Sequence, residues 1–169
     1  MRLLSNGISV AVALVGLGWA SAGLAASSVV NVALWDKGGE AMGNMPTAPD
    51  MGMAMTNAMK MDMAPVGLKV DKVKVPAGKV TFNVTNASQD VVHEMIVSPV
   101  KNPAKPLPYK SADLQIDEDA AGHLGEVSEM QPGAKGSLTL DLKPGTYILF
   151  CNVPSHYAMG MWTLLTVTG

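Results

Sequence analysis

The single cysteine of this 169-residue chain sits at the start of a loop whose spacing leaves few folds open. In Phe150-Cys151-Asn152-Val153-Pro154-Ser155-His156-Tyr157-Ala158-Met159-Gly160-Met161-Trp162, four residues separate Cys151 from His156 and four more separate His156 from Met161. A straight strand rises about 3.3 Å per residue and would carry these side chains far apart. A chain that turns at Pro154-Ser155 and comes back folds all three around one point. The flanks, residues 147–150 and 162–167, read as strands, so the loop joins two neighbours of a β-fold.

The chemistry of the loop follows from its residue types. A thiolate, an imidazole and a thioether are soft ligands, which favour copper over calcium, magnesium or manganese. Trigonal His2Cys sites with a long axial Met need a second imidazole, and the chain holds only His93 and His123 besides His156. His93 lies in the apolar run Asp90-Val91-Val92-His93-Glu94-Met95-Ile96-Val97, which suggests a strand carrying the ring inward. His123 lies in Ala120-Ala121-Gly122-His123-Leu124-Gly125, a solvated loop, and His93 is the preferred ligand. Met159 competes with Met161 for the axial place, and Glu94 could supply an oxygen instead. A lone cysteine is ordinarily a buried structural thiol. The His and Met downstream at ligand spacing turn that reading toward a metal.

The rest of the text is β-like. Residues 29–35 alternate as a first strand, followed by the turn Asp36-Lys37-Gly38-Gly39. Alternation resumes over 68–75, turns at Pro76-Ala77-Gly78 and continues over 79–84. Residues 98–126, broken by proline and glycine, read as a long excursion with a helical turn near 111–114. Ser137-Leu138-Thr139-Leu140-Asp141-Leu142 alternates up to the turn Lys143-Pro144-Gly145. Many short strands with turns between them point to a sandwich or barrel. Tyr147, just past that turn, suits a tyrosine corner pinning a Greek-key crossing as well as it suits an ordinary buried tyrosine.

The string Lys143-Pro144-Gly145-Thr146-Tyr147-Ile148-Leu149-Phe150-Cys151 with the loop to Met161, and an upstream histidine after Lys79-Val80-Thr81-Phe82-Asn83-Val84-Thr85-Asn86, resembles the cupredoxin family of type 1 blue copper proteins, nearest to its sulfocyanin-like and plastocyanin-like members. The resemblance covers roughly residues 66–169 and implies an all-β Greek-key β-sandwich of about eight strands holding one copper that shuttles single electrons. It implies His93, Cys151 and His156 as equatorial ligands and Met161 as the axial one. Many cupredoxins carry Asn directly after the first histidine, tying that loop to the cysteine loop, where this chain has Glu94. Oxygen-reducing copper oxidases flank the cysteine with further histidines, whereas here the neighbours are Phe150 and Asn152. A non-enzymatic carrier is the expectation, since a filled His2CysMet set leaves no open position for a substrate.

Residues 1–26 read as an export signal: Arg2, an apolar stretch over 8–17 and small residues up to Ala26. The stretch is short for a membrane span. Expected, therefore, is one domain over 27–169 in the periplasm or secreted, a monomer that meets redox partners transiently. A net charge of −2 without a basic cluster excludes a nucleic-acid partner. Within 42–64 lies an insertion with eight methionines, Met42, Met45, Met51, Met53, Met55, Met59, Met61 and Met63. Its thioethers suit additional weak Cu(I) binding, and its Gly, Pro, Asn and Asp suit a flexible low-complexity insertion. The alternative function is thus a periplasmic copper chaperone or copper-tolerance protein that uses this segment.

Overall fold

The computed structural model describes residues 26–39 and 64–169; the export signal read over 1–26 and the methionine insertion read over 42–64 lie, but for their last residues, outside the described residues. Two mixed sheets face each other, as the β-sandwich expectation requires. The first is ordered β2 (Val66–Val70), β1 (Ala26–Asp36), β4 (Gly78–Asn86), β9 (Lys135–Leu142). The second is ordered β3 (Lys74–Pro76), β11 (Trp162–Thr168), β10 (Gly145–Phe150), β5 (His93–Pro99), β8 (Gly125–Met130). A small ribbon of β6 (Tyr109–Lys110) and β7 (Gln115–Ile116) stands apart.

Period-2 patterning explains the layers. In β4, Val80, Phe82 and Val84 point inward and are at most 1% exposed, while Leu138, Leu140 and Leu142 of β9 line the same face. They meet Met95 and Val97 of β5 and Leu149 of β10 in one core. β1 runs parallel to β4, and β3 parallel to β11, so sequence neighbours are repeatedly separated in space. That is the pattern expected of Greek-key connections.

The structure departs from the sequence expectation in three places. The apolar alternation over 68–75 is split between two sheets: β2 pairs with β1, the chain crosses at residues 71–73, and β3 pairs with β11. Alternation reports which face is buried and is silent about which sheet buries it. The turn at 111–114 is the tip of the β6–β7 ribbon, and the helix α1 lies later, at Glu118–Ala121, capped by the Asp117 side chain accepting from the Ala120 N–H. The end of the excursion and the residues after it become β8, an edge strand.

Tyr147 is 8% exposed, and its hydroxyl donates to the Lys143 carbonyl at 2.9 Å, so the corner reading holds. Lys143 is exposed, so water can replace the lost donor. Tyr147→Phe is expected to lower stability by about 0.5–1.5 kcal/mol in denaturant unfolding, with an unchanged slope.

Candidate metal centre

β10 ends at Phe150 and β11 begins at Trp162, and the two strands pair in register Phe150 to Trp162. The residues between them are therefore forced into a loop rooted at one point. The Cys151 N–H donates to the Met161 carbonyl at 3.0 Å, and the Met161 N–H donates to the His156 carbonyl at 2.9 Å. Those two bonds draw Cys151, His156 and Met161 together, as the spacing predicts. The reversal uses Ser155 at φ +70° and Gly160 at φ +93°, in the left-handed region.

His93 arrives from the other side, as first residue of β5. It sits where β5 and β8 shift register between His93 and Met95. His93 Nδ1 lies 3.3 Å from His156 Nδ1, and Cys151 Sγ lies 3.4 Å from the same atom. The donor atoms of His93, Cys151 and His156 all fall within 4.8 Å of one another, and all three residues are buried. Met161 is 0% exposed in the same core cluster as Cys151. His123 is elsewhere, with Glu118 and Glu126 at a partly exposed edge. Met159 is only partly buried.

Burial governs the protonation of this cluster. It pushes the Cys151 thiol up to about 12, against hydrogen bonds from the Glu94 and Val153 N–H groups. It depresses His156 to about 4, helped by the neighbouring His93, and it lowers His93 against the pull of Asp36. Without a metal the three groups are held neutral. A thiol whose proton a soft cation would displace, beside two uncharged ring nitrogens turned to the same point, is a donor set that fits copper.

Three further residues act here, of which the sequence reading gave no role to Asp36 or Asn152 and weighed Glu94 as an oxygen donor. Asp36, the last residue of β1, places Oδ2 2.9 Å from His93 Nε2, with its side chain 3% exposed. Burial works against its charge, yet hydrogen bonds from Ser88, His93 and Gly38 outweigh this and hold the carboxyl below its usual value. Glu94 stands where a tie to the cysteine loop was in doubt. Its N–H donates to Cys151 Sγ at 3.5 Å, and its carboxylate accepts from the Asn152 N–H at 3.0 Å, so glutamate makes the tie.

Asn152 is the third. Its Oδ1 accepts from the Ile116 N–H at 2.6 Å, and its Nδ2 donates to the Ile116 carbonyl at 3.1 Å and to Glu118 at 2.8 Å. Its carbonyl accepts from Gln115 Nε2 at 2.7 Å. The excursion is thus clamped onto the ligand loop, and the Ser155 N–H to Leu114 carbonyl bond of 2.8 Å adds to the clamp. No local pattern in the sequence links residues 116 and 152; the only signal is a buried amide beside the cysteine, which must find partners.

A family model described as copper binding proteins, plastocyanin/azurin family, matches residues 49–168. Among solved structures, rusticyanin from Thiobacillus ferrooxidans is similar at a TM-score of 0.52 and 18% identity, over 84% of this chain and 77% of that one. Auracyanin B is similar at a TM-score of 0.50 and 20% identity, over 86% of this chain and 91% of that one. These likenesses concern the fold. A search of curated proteins found no match.

Burial, then the negative charge of Glu126, raises Glu94 to about 7. The folded chain therefore keeps a proton that the unfolded chain releases near the ordinary value of 4.5, so this group's contribution to stability is lost as pH rises from 4.5 to about 7. In the metal-free protein, Glu94→Gln is expected to gain thermal stability relative to wild type as pH is raised through that window. Parallel melting curves for the two proteins check this.

Proposed function

The chain belongs to the plastocyanin/azurin family of copper-binding proteins, the cupredoxins, with copper as its cofactor, and from that premise we propose that it is an exported carrier of single electrons. The observation that supports this most is the buried convergence of His93, Cys151 and His156. In this reading those three side chains hold one copper, and Met161 supplies the axial thioether. Bound copper supplies a one-electron Cu(II)/Cu(I) couple.

What the protein itself contributes is constancy of geometry. An electron moves readily when the ligands need not rearrange, and each ligand is braced. Met161 and Cys151 share a backbone hydrogen bond, His93 is held by Asp36, and Asn152 ties the loop to the excursion. Tyr157 closes the side of the loop, 4% exposed, its hydroxyl accepting from the Leu107 N–H at 3.2 Å and its ring edge-on to Phe150. His93 is 0% exposed and His156 is 4% exposed, so the electron leaves by way of His156. Pro154, Ala158 and Met159 around it are exposed or partly exposed, which suits brief docking through a small interface.

Export through the signal at 1–26 to the periplasm or outside, and a monomeric state, complete the proposal. Among the described residues no helix is long and apolar enough to cross a membrane. A second reading, copper handling by the 42–63 methionines, has one point in its favour. The described residues on either side of that segment meet beside the centre, where the Lys37 N–H donates to the Pro65 carbonyl at 2.8 Å, next to Asp36.

Visible absorption and EPR of the purified protein with one Cu(II) test the proposal. An intense thiolate-to-copper charge-transfer band is expected, absent in Cys151→Ser and retained when residues 42–63 are deleted. Several weakly held Cu(I) ions and no such band would instead assign the function to copper handling.

A further inference from the structure

The partner of His93 is a carboxylate, and the structure shows how it is held. Asp36 Oδ1 accepts from the Gly38 N–H at 2.7 Å, while Oδ2 faces His93 Nε2 at 2.9 Å. The side chains of His93 and Asp36 are 0% and 3% exposed, so water does not substitute for either bond. The backbone bearing Asp36 is itself fixed: Lys37 is bonded to Pro65, and the Gly39 N–H donates to Asp90 Oδ2 at 3.3 Å. Ser88, 7% exposed, hydrogen-bonds the carboxylate as well and organises the loop that leads to His93 through the Asp90 and Val91 N–H groups.

Two consequences follow for the histidine. A neutral imidazole carries one proton, and an acceptor at Nε2 places it there, leaving the lone pair on Nδ1. Nδ1 is the atom that faces His156 and belongs to the cluster with Cys151. A carboxylate behind a ligating imidazole also raises the basicity of the ligand, and its negative charge favours the more highly charged state of the metal.

We propose that Asp36 is the positioning residue of the copper centre: it fixes His93 in the Nε2–H tautomer and biases the centre toward the oxidised metal. The proposal rests on His93 being a copper ligand.

Asp36→Asn removes the negative charge and the acceptor facing Nε2 together. The Gly38 N–H retains the amide oxygen, so the NH2 group faces His93 Nε2, which must then accept, and the proton moves to Nδ1. In the metal-free proteins, nitrogen-15 NMR of the histidine rings is expected to show His93 as Nε2–H in wild type and as Nδ1–H in Asp36→Asn, both with folded spectra. On copper loading, the variant is expected to bind Cu(II) about 10- to 100-fold more weakly. Cu(I) binding should suffer less; each tenfold difference between the two raises the potential by about 59 mV.

An Nδ1–H tautomer in the wild-type protein, or an unchanged tautomer, Cu(II) affinity and potential in the variant, would overturn the proposal. Failure of the ligand reading looks different: wild type would then lack the charge-transfer band, while the metal-free spectra would still decide whether Asp36 sets the tautomer.

Discussion

Three donor atoms within 4.8 Å of one another, in residues between 0% and 4% exposed, are the constraint on which the rest of the structure depends. Buried polar groups are costly unless they are paired. Burial holds the thiol protonated and both rings neutral, so a soft cation that binds here must take the thiol proton's place. The pairing of Phe150 with Trp162 closes the loop, and the Glu94 N–H reaches Cys151 Sγ from the strand that carries His93. Both are arrangements of backbone that serve this one cluster.

Rigidity is then distributed over elements that never reach the metal. Asn86, 0% exposed, donates through Nδ2 to the Val91 and Met130 carbonyls and accepts from the Ser88 N–H, which sets the path of the chain into His93. Asn152 does the same for the cysteine loop from the side of the excursion. Two buried asparagines thus fix the approach to two ligands that lie 58 positions apart in sequence. Side-chain amides suit the task because each offers donors and acceptors to backbone segments that no ladder pairs.

Much of this was legible in the sequence. The loop spacing gave Cys151, His156 and Met161, because ligands brought in by one short turn leave a local signature. His93 was legible through the apolar run around it, since burial on both faces of β5 is written into Met95, Ile96 and Val97. The split of 68–75 between two sheets was not legible, because the same alternation serves either sheet. Asp36 and Asn152 escaped for a related reason. Asp36 reads as a turn residue and becomes a partner of His93 only because the parallel pairing of β1 with β4 brings the end of β1 beside it. Long-range contacts between polar side chains have no period to betray them.

The central claim is that one metal sits between Cys151, His93 and His156. X-ray absorption at the copper edge, on the full-length protein loaded with one equivalent and measured in both oxidation states, tests it most directly. The account predicts one short copper–sulfur bond and two imidazole nitrogens, nearly unchanged between Cu(II) and Cu(I). A shell of several thioether sulfurs without imidazole, or a coordination number that changes with oxidation state, would contradict it.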